Sequence, residues 1–149
     1  MDTKEKTCDF CSRPENRERT VLRTNRVWSF LTNMPITPGH TLICPTRCVE
    51  TFGELTIPEL VEIQDHLRQV HFAALAVFGA VDFNHSWNQG EIAGQSVPHF
   101  HLHVVPRTVG DAGITKYEPR KFLYRPGSRE PSPEAELRQI AYVLRSAIV

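Results

Sequence analysis

The chain has 149 residues, 40% hydrophobic and 23% charged, with 17 Lys plus Arg against 17 Asp plus Glu. This suits one domain over residues 1–149, and the balanced charge argues against a nucleic-acid polymer or an anionic membrane as partner. The N-terminal MDTKEKTCDF has no apolar core and no window approaches about 18 apolar residues, so no signal peptide or membrane span is predicted, the expected location is cytoplasmic, and the cysteines are expected as thiols or metal ligands.

Cys8-Asp9-Phe10-Cys11 is a C-x-x-C hook, a pattern that closes around zinc or forms a redox pair; no strand or helix pattern of the redox type surrounds it. Residues 20–32, TVLRTNRVWSFLT, hold two β-like runs around a polar turn at Thr24-Asn25-Arg26, which predicts a hairpin. Pro35, Pro38 and Gly39 break the pattern, and His40 to Pro45 predicts a third strand in which Cys44 is a small buried hydrophobe. Thr56 to Gly79 predicts a long helix with a Thr56/Glu59 capping box, Pro58 in the first turn and Gly79 as the stop. Its apolar stripe is Leu60, Ile63, Leu67, Val70, Ala74 and Val77; His66 and His71 lie off that stripe and are predicted to be solvated.

Val81 to Trp87 is β-like, with Phe83 and Trp87 on a common face, and Asn88 to Ser96 is a Gly-rich loop. Residues 107–131 are irregular, and Lys116, Arg120, Lys121 and Arg125 there read as scattered surface charge. A last helix is predicted from about Ser132 as cap, turning Leu137, Ile140, Ala141 and Leu144 inward. With a histidine-rich run between the Gly-rich loop and residue 107, the chain has five strand-like runs and two helices joined mostly by short connections. This pattern argues for an α+β fold with an antiparallel sheet.

The histidine-rich run lies in GQSVPHFHLHVVPR, residues 94–107, and holds three of the chain's seven histidines. In a strand, His99, His101 and His103 share one face while Phe100, Leu102 and Val104 take the other. Neighbouring histidines would stand about 6.6 Å apart and the outer pair about 13 Å. All three cannot converge on one metal ion, so a catalytic metal built on the row fails on spacing. A neutral imidazole, with a reference pKa of about 6.5, is a competent nucleophile near neutral pH.

His99-Phe100-His101-Leu102-His103-Val104-Val105 resembles the signature of the histidine triad (HIT) family. Asn88-Gln89-Gly90 and Ala93-Gly94-Gln95-Ser96-Val97 resemble the family's segment before the triad, and Pro106-Arg107 and Gly110-Asp111 resemble its segment after the triad. PITPGHTLICP, residues 35–45, is similar to the family's other landmark. The likeness covers residues 8–111 and leaves 112–149 as a C-terminal extension. It implies a HIT-like, five-stranded antiparallel sheet with a long helix packed on it and commonly a homodimer.

It also implies nucleotide hydrolysis at the α-phosphate. His101 would be the nucleophile, forming a covalent nucleotidyl-histidine that water hydrolyses, and His103 would hydrogen-bond the phosphate and assist the leaving group. Backbone N–H groups around Gly94 to Ser96 would cradle phosphate oxygens, with Gln95 and Ser96 adding side-chain donors. Asn88 falls where the family contacts phosphate or ribose, and Asn33, or its neighbour Thr32, where it grips the ribose hydroxyls. Phe30 and Leu31 line the base pocket or are plain core. The same likeness implies structural zinc on Cys8, Cys11, Cys48 and His99, a Cys3His set in place of the more usual Cys2His2, and no organic cofactor. Its alternative is reduced thiols with His99 hydrogen-bonding locally. HTLICP followed by Arg47, and PR then GD after the triad, lean toward the dinucleoside polyphosphate branch over the phosphoramidase branch. A nucleotidyltransferase or phosphorylase fits the same triad. A non-enzymatic nucleotide-binding module would be marked by loss of the middle histidine, present here as His101.

Overall fold

A computed structural model describes residues 7–111 and 131–148. The basic residues Lys116, Arg120, Lys121 and Arg125 lie outside the described residues. The hook sits on two short helices, α1 (Asp9–Ser12) and α2 (Pro14–Glu18), where no element was predicted. The chain continues through β1 (Thr20–Arg23), β2 (Val27–Leu31), β3 (Thr41–Pro45), α3 (Ile57–Phe78), β4 (Asp82–Ser86), β5 (Leu102–Arg107) and α4 (Glu134–Ala147). The fold is α+β: a five-stranded sheet in the order β1-β2-β3-β5-β4, each neighbouring pair antiparallel. No helix among the described residues is long and apolar enough to cross a membrane.

Strand alternation sorts the core onto two faces. Trp28 and Phe30 of β2, with Leu42 and Cys44 of β3, pack with Cys8 and Phe10 of the N-terminal arm. Val27, Ile43, Phe100 and Val104 turn to the other side, against Ile63 and Val70 of α3. Beside them Val21 and Leu31 meet Ala73 and the α4 residues Leu137, Ala141 and Leu144, with Ile140 partly buried against the same cluster.

The ends of α3 are set by local chemistry. Thr56 Oγ1 accepts from the Glu59 N–H, Glu59 Oε2 accepts from the Thr56 N–H at 2.8 Å, and Gly79 ends the helix in the left-handed region at φ 68°. The buried face differs from the predicted stripe. It comprises Glu59, Ile63, His66, Val70, Ala73 and Ala74, so His66 is not solvated but 1% exposed, its Nδ1 2.7 Å from the Ser29 Oγ. Counting apolar residues misses this because the inward face of the helix passes through a polar residue whose partner stands 37 residues away. His71 is not solvated either: it is partly buried, stacked on Phe83 at 4.0 Å, with Nε2 2.8 Å from the His85 Nε2.

Two other expectations change. The last strand starts at Leu102, so only His103 of the triad lies in the ladder. The residues before it bond elsewhere: the Phe100 N–H donates to the Val49 carbonyl at 2.6 Å and the His99 N–H to Val97 at 2.8 Å, while Pro98 has no N–H to offer. Ser132 is not a helix cap. Pro133 holds that position without a side-chain bond, and the Ser132 N–H donates to the Asn33 carbonyl at 2.9 Å, tying α4 to the end of β2.

Candidate functional site

Each histidine of the triad is held in a distinct role by what its ring nitrogens touch. His99, 1% exposed, donates from Nε2 to the Pro45 carbonyl at 2.8 Å, which leaves Nδ1 as a lone pair. That nitrogen lies 3.4 Å from Cys8 Sγ and 3.7 Å from Cys11 Sγ. With Cys48 the four donor atoms all lie within 4.8 Å of one another, a set that can hold a metal ion. Three thiols and one imidazole, with the far ring nitrogen bonded to a carbonyl, have the donor chemistry of a closed tetrahedral site. Burial pushes the Cys8 thiol up, but its contact with the His99 ring and the backbone hydrogen bonds at Cys11 and Phe10 outweigh it and bring it down to about 7. Burial and the neighbouring Cys8 push the Cys11 thiol up. Cys44, fully buried beneath, is also pushed up by burial and stays a core residue.

His101 donates from Nδ1 to the His99 carbonyl at 2.7 Å, so its proton is on Nδ1 and its Nε2 carries the lone pair. Burial lowers its pKa to about 4, only partly opposed by that hydrogen bond, which keeps the ring neutral near pH 7. His103 is set through His40. The Ile36 N–H donates to His40 Nδ1 at 3.1 Å, so His40 carries its proton on Nε2 and donates it to His103 Nδ1 at 3.0 Å. His103 thereby has its own proton on Nε2. The His101 and His103 rings stand edge-on, their centroids 5.0 Å apart.

Both rings line a cavity of about 160 Å³. Phe10, Phe30, Leu42, Met34 and Val97 supply its apolar wall, Asn33 and Ser96 line it, and Arg13, Asn16 and Arg19 reach it from α2 and its flanking residues. Leu31 faces away, into the α4 cluster. The remaining predicted contacts hold the loop rather than line this cavity. Asn88 Nδ2 donates to the Gly94 carbonyl at 3.4 Å, and Gly94 takes a left-handed conformation at φ 97°. Gln95 donates to the Glu50 carbonyl at 2.9 Å and accepts from the Gly90 N–H at 2.8 Å, clamping the loop to the segment after β3.

A family model for the HIT domain matches residues 13–110. The chain belongs to the HIT family. This HIT protein is 36% identical over 117 residues to an uncharacterised HIT-like protein of Saccharolobus solfataricus, an alignment covering 76% of this chain and 84% of that one. It is 38% identical over 89 residues to the bis(5'-nucleosyl)-tetraphosphatase (asymmetrical) of Schizosaccharomyces pombe, covering 60% of this chain and 49% of that enzyme, about half its length. Among solved structures, a zinc-bound histidine triad family protein from Mycobacterium smegmatis superposes with a TM-score of 0.70 at 22% identity, covering 97% of this chain and 94% of that one.

Sequence reasoning gave no role to His40, Phe10, Asn16 or Arg19. The PGH motif pointed at His40 only as a strand start, and nothing local shows that it meets His103, 63 residues away.

Proposed function

We propose that this HIT protein hydrolyses phosphoanhydride bonds of small nucleotides, dinucleoside polyphosphates foremost, releasing a nucleoside monophosphate. The observation that carries the proposal is the pairing of tautomers: a neutral His101 with its lone pair on Nε2 beside a His103 with its proton on Nε2. His101 Nε2 attacks the α-phosphorus, a nitrogen–phosphorus bond forms as the bridging P–O bond breaks, and the leaving phosphate departs as an anion that accepts a hydrogen bond from the His103 Nε2–H. Water then attacks the phosphorus as the nitrogen–phosphorus bond breaks, its proton leaves to solvent, and the monophosphate departs with the His101 Nε2 lone pair restored. Asn33 and Ser96 in the cavity wall suit contacts to ribose and phosphate, while Asn88, Gly94 and Gln95 hold the shape of the loop that leads to Ser96, the Gly94 and Gln95 N–H groups being taken by the Glu91 and Gly90 carbonyls. The relative named as a tetraphosphatase supports the substrate class.

Zinc on Cys8, Cys11, Cys48 and His99 is part of the same reading, supported by the donor geometry and by the zinc-bound relative. When bound it supplies a structural staple between the arm and the sheet, and the reacting groups are His101 and His103. A homodimer is proposed too: β4 is a terminal strand, and Phe72, Leu75 and Val81 stay exposed on and beside α3 and β4.

The test is product analysis with diadenosine triphosphate, diadenosine tetraphosphate and an adenosine phosphoramidate, for the native protein and His101→Ala. The native protein releases AMP, His101→Ala loses about a thousandfold or more of the rate, and the preferred substrate names the branch. A His101→Ala protein with native activity would sink the nucleophile assignment; turnover only when inorganic phosphate is added, with ADP formed in place of AMP, would mark a phosphorylase.

A further inference from the structure

The hook that carries two of the sulfur donors also carries a wall of the cavity. Phe10 stands between Cys8 and Cys11, its ring edge-on to Phe30 at 5.1 Å and to His101 at 5.0 Å, and Asp9 and Arg13 line the cavity on either side of it. Yet α1 has four residues and no side-chain N-cap, and α2 has five. Helices this short are not held by their own backbone hydrogen bonds. Among the described residues no strand pairs with residues 8–18, since the sheet begins at Thr20.

What holds the arm is tertiary. Asn16 Nδ2 donates to the carbonyls of Asp9 at 2.8 Å and Phe10 at 3.3 Å, and Asn16 Oδ1 accepts from Arg19, which also donates to the Leu31 carbonyl at 2.9 Å. Two more ties are the packing of Phe10 with Trp28, Phe30 and Leu42 and the donor set itself, which brings Cys8 to His99 across 91 residues of chain. A metal closing that set fixes both ends of the Cys8–Cys11 turn, and with them the one side chain of the turn that meets Phe30 and His101.

We infer that the metal-bound hook forms the nucleoside wall of the site, with Phe10 as the residue through which metal occupancy sets affinity for an aromatic base. The inference rests on the proposed nucleotide hydrolysis. It makes the metal a determinant of nucleotide binding without contact between metal and substrate: loss of the metal frees the turn, the Phe10 edge no longer faces Phe30, and the base loses one side of its slot.

The experiment measures AMP binding by calorimetry alongside zinc content. It uses the native protein as zinc-loaded, chelator-stripped and zinc-restored samples, and Phe10→Leu in the first two states. Stripping should weaken AMP binding to the native protein about tenfold, with restoration on adding zinc. Phe10→Leu should keep its zinc, bind AMP about tenfold more weakly, and change little on stripping, because the wall is already gone. Native AMP affinity indifferent to zinc, or a Phe10→Leu protein as zinc-sensitive as the native one, overturns the inference. If the stripped protein unfolds by circular dichroism, zinc-loaded Phe10→Leu decides, and unchanged AMP affinity there overturns it. A zinc-loaded native protein that binds no AMP overturns the nucleotide reading along with this one, and so tells the two failures apart.

Discussion

The sheet buries a histidine on each face, and burial pushes both to about 4. On the α3 side His66 is sealed between helix and strand, with one ring nitrogen on Ser29 and the other, Nε2, buried without a hydrogen-bond partner among the described residues. On the arm side His101 has one nitrogen fixed by the His99 carbonyl, and its ring lines a cavity beside His103. The same loss of water therefore gives a structural group on one face and, on the other, the neutral ring proposed as the nucleophile. What separates them is the cover: α3 packs its whole face on the sheet, whereas the arm covers its side with two short helices and leaves a slot.

If that contrast holds, adjacent residues of one strand should respond differently. Ile43, fully buried against α3, should lose about 2–5 kcal/mol of stability as Ile43→Ala, read from denaturant unfolding. Leu42→Ala, which empties space already open to the cavity, should lose less and weaken AMP binding. Equal losses with AMP binding untouched by either would break the comparison.

Acid should sharpen it. The folded pKa of His66, about 4, lies below the ordinary 6.5, so the unfolded chain takes up this proton first. The stability contributed by keeping the ring neutral is complete above about pH 6.5 and is lost as pH falls toward 4, about 3 kcal/mol in all. Unfolding free energies of native protein and His66→Gln, from urea titrations between pH 7 and pH 4, should converge by about that amount, and parallel curves would show that His66 does not carry the titration.

The smallest effect concerns orientation. His40→Phe keeps a planar ring and removes both nitrogens, so His103 loses the donor that sets its tautomer. The turnover rate should fall about tenfold to a hundredfold, the range found when the partner orienting a working histidine is lost. KM should change little, and an unchanged rate would show that His103 needs no such partner.

Local chemistry carried much of the fold. The capping box and left-handed glycine delimit α3, the Thr24-Asn25-Arg26 turn closes its hairpin, and alternation in β2 and β3 sorts the two faces. These are effects between residues a few positions apart, so composition and period suffice to see them, as the triad's pattern sufficed to point at the family. The residues' partners were another matter. That His66 meets Ser29, that His40 sets the tautomer of His103, and that Phe10 stands over His101 depend on groups brought together from distant parts of the chain. A ring nitrogen's role is decided by the atom it faces, and only the closed tertiary structure supplies that atom.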